Sequence, residues 1–319
     1  MTSVFTERDR AWITAQRPPR AAPLNPFKPY SWFLEHERSA AGLLVTSGTI
    51  LLTNKECPWR CLMCDLWKNT LTETVPPGAI PAQIDFALKQ FPAKPKQLKL
   101  YNSGSFFDSA AIPTQDYAEI ARAVQFADNV VVESHPRLVG EKSLRFRDLL
   151  SGTLEVAIGL ETIHPKVLPL LNKKFDLNHF SRAADSLREN EIAMRAFVLV
   201  KPPFLDDVEA LAWALRSTEF AFSCGASVVT LIPTRNGNGA MERLQESGEF
   251  SPPKLALLEI ALDSALSLRG TGRVFADTWD LERFSTCSAC LESRRERLHA
   301  INLHQKRLPL IHCPVCSRA

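Results

Sequence analysis

Seven of the eight cysteines in this 319-residue chain fall into two groups. The first is CPWRCLMC, which spaces Cys57, Cys61 and Cys64 as C-x3-C-x2-C. The second is CSAC with CPVC, which pairs Cys287 with Cys290 and Cys313 with Cys316 across 22 intervening residues. Thiolates are soft ligands that hold iron–sulfur clusters or zinc. Three thiolates leave a fourth coordination position for something else. Two C-x2-C knuckles turn four thiolates onto one centre and form a closed S4 site, so the second group is expected to hold Zn2+ or an auxiliary iron–sulfur cluster. The eighth, Cys224, stands alone in FSCGAS and reads as a small buried hydrophobe.

These residues must be positioned by a scaffold, and 45% hydrophobic residues suffice for a large core. The net charge of +3 does not by itself announce a nucleic-acid binder. No apolar run is long enough for a transmembrane helix, and MTSVFTERDRAW lacks an apolar leader core, so a cytoplasmic protein without membrane partners is expected. In a reducing compartment, clustered cysteines are metal ligands rather than disulfides. Residues 1–45 read as an irregular, Pro- and Arg-rich arm. Strand-like runs follow at 49–54, 97–102, 129–134, 154–160, 196–200 and 227–232, with helical patterns between them near 80–91, 114–125, 141–150, 177–190 and 207–219. This alternation predicts an α/β fold: a partial (β/α)6 TIM-like barrel over 46–270, with a doubly wound open sheet as the rival. A helix is expected at 253–268 and one more strand within FADTWD (275–280). Residues 271–319 form a cysteine-bearing extension.

The cysteine triplet directly follows the first strand of the barrel, TILLTN, and the C-terminal ends of barrel strands are where active sites are built. In this position C-x3-C-x2-C resembles the signature of the radical S-adenosylmethionine (SAM) enzymes. The resemblance implies a [4Fe-4S] cluster on Cys57, Cys61 and Cys64, with SAM on the open iron. It also implies reductive cleavage of SAM to a 5'-deoxyadenosyl radical that abstracts hydrogen from a substrate. An external electron donor, flavodoxin- or ferredoxin-like, is expected with it. Further candidates stand at the other strand ends. Ser103, Gly104 and Ser105 in YNSGSFFD, Glu133 in VVVESHP, and Gly159 and Glu161 in VAIGLET are expected to contact SAM. Lys201 in VLVKPPF and Thr234, Arg235 and Asn236 in LIPTRNGNG are substrate-side candidates. No side chain is assigned as a catalytic acid or base.

The blocks YNSGSFFD, VVVESHP, VAIGLET, VLVKPPF and GEFSPPK resemble the archaeosine-synthase radical SAM subunit and, more distantly, the radical SAM domain of the Elongator catalytic subunit. That resemblance implies a modified nucleoside in tRNA as substrate and a possible partner enzyme. Basic residues of the tail, Arg294, Arg295, Arg297, Lys306 and Arg307, could hold RNA phosphates, although Glu292 and Glu296 dilute them. Two other readings stay open: a radical SAM enzyme acting on a small metabolite, lipid or peptide, and a non-enzymatic metal-binding module.

Overall fold

The computed structural model describes residues 7–20, 23–270 and 272–316. Residues 1–6, part of the stretch read for a leader, lie outside the described residues. Eight strands form one sheet: β1 (Ser31–Arg38), β2 (Leu44–Leu51), β3 (Gln97–Tyr101), β4 (Asn129–Ser134), β5 (Thr153–Glu161), β6 (Ala193–Val200), β7 (Val228–Pro233) and β8 (Arg273–Ala276). They lie side by side in chain order. β1 pairs antiparallel with β2 and each later pair is parallel. A doubly wound sheet reverses its strand order at a switch point. This sheet does not, which removes that rival and leaves the partial barrel.

The helices are α1 (Arg10–Ala15), α2 (Ala79–Gln90), α3 (Tyr117–Ala123), α4 (Glu141–Leu149), α5 (Val167–Leu170), α6 (Leu177–Glu189), α7 (Asp207–Ser223), α8 (Ala240–Glu246), α9 (Leu255–Ala265) and α10 (Ser288–His304). Aspartates start the two crossover helices α6 and α7, where Asp176 accepts from His179 N–H at 2.9 Å and Asp206 from Glu209 N–H at 2.8 Å. None of the described helices is long and apolar enough to cross a membrane.

The strands divide their side chains by alternation. One face carries Leu98 and Leu100, Val130 and Val132, Val156 and Ile158, and Ala196 and Val198, all buried in the core shared with the helices. The other face looks into the barrel and carries Lys99 and Tyr101, Glu133, Ala157 and Gly159, and Arg195 and Phe197. Buried charges need partners. Arg195 donates to Glu155 and Glu37, both at 2.6 Å, and Lys99 donates to Glu35 at 2.7 Å and pairs with Glu37 at 2.5 Å. This ion-paired floor fills the end of the barrel remote from the cysteines.

The arm expected to be irregular supplies two elements, α1 and β1, and β1 brings Glu35 and Glu37 to that floor. The strand expected in FADTWD sits slightly earlier, at Arg273–Ala276, and gives the sheet a seventh parallel strand. Its free edge is covered by α10. The Asn302 amide exchanges hydrogen bonds with Ala276 N–H (2.9 Å) and C=O (2.8 Å), and the Gln305 amide does the same for Val274, both at 2.8 Å. Two carboxamides thus stand in for a further strand and satisfy a row of edge backbone groups.

Candidate active site

The segment after β2 carries the cysteine triplet, and its shape is imposed from several sides. Glu56, one residue before Cys57, is ringed by Arg17 (2.6 Å), Arg20 (2.7 Å) and Arg60 (3.1 Å). The loop carbonyls are held by amides from distant turns: Asn172 donates to Arg60 C=O at 2.6 Å, and Asn238 donates to Leu62 C=O at 2.8 Å and to Cys64 C=O at 3.1 Å. Leu62 is fully buried with Ile13 of α1 and with Met241 and Leu244 of α8. Trp59, between the first two cysteines, stacks on His135 with centroids 3.8 Å apart and planes 7° from parallel. Both nitrogens of that imidazole are engaged, with the Lys173 carbonyl at 2.8 Å and Arg137 N–H at 3.2 Å. Burial pushes its pKa down to about 3, so the ring is neutral. Trp67 is buried under the Arg17 guanidinium, 4.6 Å from the ring centroid.

All three thiols line one end of a cavity of about 640 Å3 that occupies the barrel interior. Burial pushes each of them up to about 12, and each is raised further by a neighbouring cysteine. Thiols so shifted stay protonated at neutral pH unless a cation takes the proton's place.

The same cavity brings together Ser103, Gly104, Glu133, Gly159, Glu161, Thr234 and Arg235. A Cβ on Gly104 would lie 3.2 Å from the Cys57 Cβ, so a residue without a side chain lets the β3 turn approach the cysteine loop. Glu133 accepts hydrogen bonds from Asn102 N–H (2.5 Å) and Gly104 N–H (3.3 Å). Burial nevertheless raises its pKa to about 7, against the pull of those amides. Both polar atoms of the Asn102 side chain are buried without a partner. Glu161 pairs with Lys173 at 2.5 Å. Burial opposes the Lys173 ammonium, but Glu161 and the cysteines outweigh it and raise its pKa. Ser103 and Glu161 both have left-handed backbones, φ 55° and 64°, which turn the chain sharply where β3 and β5 end.

Three sequence candidates stand outside this cavity. Ser105 is buried and bonds Ser134 Oγ at 3.0 Å. The Lys201 ammonium turns back to Asp207, at the start of α7, and to Ser251 Oγ at 2.8 Å. Asn236 reaches Gln245 at 3.2 Å and Arg283 at 3.2 Å. Of those inside it, Thr234 Oγ1 donates to Val200 C=O at 3.0 Å and Arg235 pairs with Asp277 at 2.8 Å. Lys173 is the missed cation that stands beside Glu161 in the cavity, and its segment PLLNKKFD carries no local signal for it.

The second cysteine group closes on itself. The Sγ atoms of Cys287, Cys290, Cys313 and Cys316 all lie within 4.8 Å of one another, with Cys287–Cys313 at 4.0 Å and Cys290–Cys316 at 3.6 Å. The nearby basic residues are largely spent within the fold. Arg294 pairs with Glu259, Arg297 with Asp263 at 2.6 Å, Arg295 with Glu292 at 2.6 Å, and Arg307 bonds Ser267 at 2.5 Å.

No family model matches the chain. It is 26% identical over 230 residues to an uncharacterized protein of Methanocaldococcus jannaschii, covering 67% of this chain and 63% of that one. It is 25% identical over 232 residues to archaeosine synthase subunit beta of Methanosarcina acetivorans, covering 69% of this chain and 67% of that one. The match thus spans less than two thirds of the first relative and about two thirds of the second. The solved structure of Methanocaldococcus infernus Elp3 superposes with a TM-score of 0.51 at 15% identity, over 70% of this chain and 59% of that one. The chain is thus similar in sequence to archaeosine synthase subunit beta and shares its partial-barrel fold with Elp3.

Proposed function

We propose that this chain is a radical SAM enzyme that holds a [4Fe-4S] cluster on Cys57, Cys61 and Cys64 and acts on a modified nucleoside in tRNA. The observation that carries the reading is the meeting of three half-buried thiols, a glycine-lined turn and two carboxylates at one end of a single cavity. The chemistry such a cluster and SAM supply is reductive cleavage of SAM followed by hydrogen abstraction from the substrate. The protein's own part is binding and shielding. Cys57, Cys61 and Cys64 are the ligands. Glu133 would face the polar groups of SAM, while Gly104 lets the β3 turn approach Cys57 and Gly159 leaves room for the Glu161–Lys173 pair. Lys173, beside Glu161, supplies a cation for a carboxylate. Aromatic and aliphatic walls exclude water from a reactive radical.

The tail site fits one tetrahedral ion. At a Zn–S length of about 2.3 Å, the sulfurs of an S4 site lie about 3.8 Å apart. The separations of 3.6 and 4.0 Å match that spacing. A cluster would spread its cysteines further, because each binds a different iron. We therefore assign zinc there, in a structural role that ties the start of α10 to the chain that follows the helix. The relatives' name, archaeosine synthase subunit beta, supports a tRNA nucleoside as substrate and a partner subunit. A flavodoxin- or ferredoxin-like electron donor and a cytoplasmic setting complete the proposal.

The test is 5'-deoxyadenosine release by anaerobically reconstituted protein given SAM, a reductant and small RNA, with the same RNA digested to nucleosides as control. Release that rises with intact RNA supports the proposal. Release indifferent to RNA keeps the radical chemistry and moves the substrate to a small metabolite, lipid or peptide.

A further inference from the structure

Two buried hydroxyls inside the barrel have no hydrogen-bond partner among the described residues. Thr49, on β2, is 2% exposed, and its Oγ1 has no hydrogen-bond partner. Thr230, on β7, also has a buried Oγ1 without a partner. Both line the one cavity, away from the turns that carry Ser103 and Glu133. A hydroxyl buried without a partner is costly, and the fold gains nothing from these two. Their neighbours in register are flat or charged. Thr49 sits between Phe33 and Lys99, and Thr230 between Phe197 and Phe275. The aromatic lining is ordered: Phe197 packs edge-on against Tyr101 at 6.2 Å, Phe33 lies 5.1 Å from Trp279, and the Arg195 guanidinium lies 5.6 Å from the Phe275 centroid.

We infer that Thr49 and Thr230 form a substrate subsite for a planar, hydrogen-bonding heterocycle of nucleobase type, with the two hydroxyls meeting its polar edges and the surrounding rings packing on its faces. This deepens the proposed function and rests on it for the identity of the substrate class. Aromatic faces accept any flat π-system, whereas directional hydroxyls discriminate between edges. The residues that select the substrate would then be these two threonines, rather than Lys201 or Asn236, whose side chains are engaged elsewhere.

The experiment is a binding measurement that needs no turnover. The reconstituted, metal-replete protein is titrated with 2-aminopurine riboside, followed by its fluorescence, and separately with SAM. The chain expected to bind is compared with Thr49→Val, Thr230→Val and the rescue variant Thr49→Ser. Each valine variant should weaken riboside binding about five- to tenfold and leave SAM binding within about twofold, with Thr49→Ser close to the parent. The valine variants should unfold at the same temperature as the parent or higher, since they remove an unpaired buried hydroxyl. Riboside affinity unchanged in both valine variants, a loss confined to SAM binding, or no riboside binding by the parent overturns the subsite. None of these outcomes depends on SAM cleavage, so an enzyme that releases 5'-deoxyadenosine without riboside binding loses the subsite and keeps the radical chemistry. Riboside binding without 5'-deoxyadenosine release does the reverse.

Discussion

Glu133→Gln separates the energetics of the cavity from its chemistry. Burial raises the Glu133 pKa from 4.5 to about 7, so in the folded protein the carboxyl holds its proton to higher pH than in the unfolded chain. A raised folded pKa contributes stability that is complete below about 4.5 and is lost as pH climbs through about 7. At about 1.36 kcal/mol per pKa unit, the full shift corresponds to about 3 kcal/mol, and water in the cavity that the carboxylate faces reduces this to about 1–2 kcal/mol. Glutamine keeps an oxygen for the Asn102 and Gly104 amides but cannot ionise. The cluster-free protein carrying Glu133→Gln should therefore come nearest to the parent at pH 5 and exceed it by about 1–2 kcal/mol at pH 8, a rise of about 2–3 °C in Tm. Urea unfolding of both proteins at pH 5, 6, 7 and 8 reads the difference directly. A difference independent of pH, or a parent that is the more stable of the two at pH 8, would refute the reasoning. The same variant should bind SAM at least tenfold more weakly.

Three further outcomes follow from named contacts. Arg195→Met leaves Glu37 and Glu155 buried without their shared partner and should cost about 3–5 kcal/mol in urea unfolding. Cys290→Ser should remove the tail ion and lower the Tm while iron at the other site is retained, as elemental analysis would show. Gly104→Ala crowds Cys57 at 3.2 Å and should reduce iron loading with little change in circular dichroism.

The order of the barrel strands was legible because each carries a compact apolar run bounded by turn residues, and the spacing of the tail cysteines marked the group that the fold closes into one metal-capable site. Charges inside those runs, in QLKLY, LEVAIGLE and MRAFVLV, carried a further signal of alternation that marks Lys99, Glu155 and Arg195 as facing the interior. β1 was not legible. Its run SWFLEHER sets Glu35 and Glu37 at inward positions, which is tolerable only because Lys99 and Arg195 arrive from strands far along the chain. Position at a strand end likewise did not fix direction. Lys201 has φ 60° and its ammonium is drawn to Asp207 at the head of the next helix, whereas Glu161, with a similar φ of 64°, remains in the cavity beside Lys173. Those outcomes depend on which partner the tertiary fold delivers, and no local pattern encodes that.

The most direct test of the central claim compares the parent with Cys57→Ala after anaerobic reconstitution, counting iron and 5'-deoxyadenosine from the same samples. The account expects about four irons per chain and reductant-dependent release from the parent, with both lost in the variant and the tail ion untouched. A Cys57→Ala protein that keeps its iron and still cleaves SAM would contradict it.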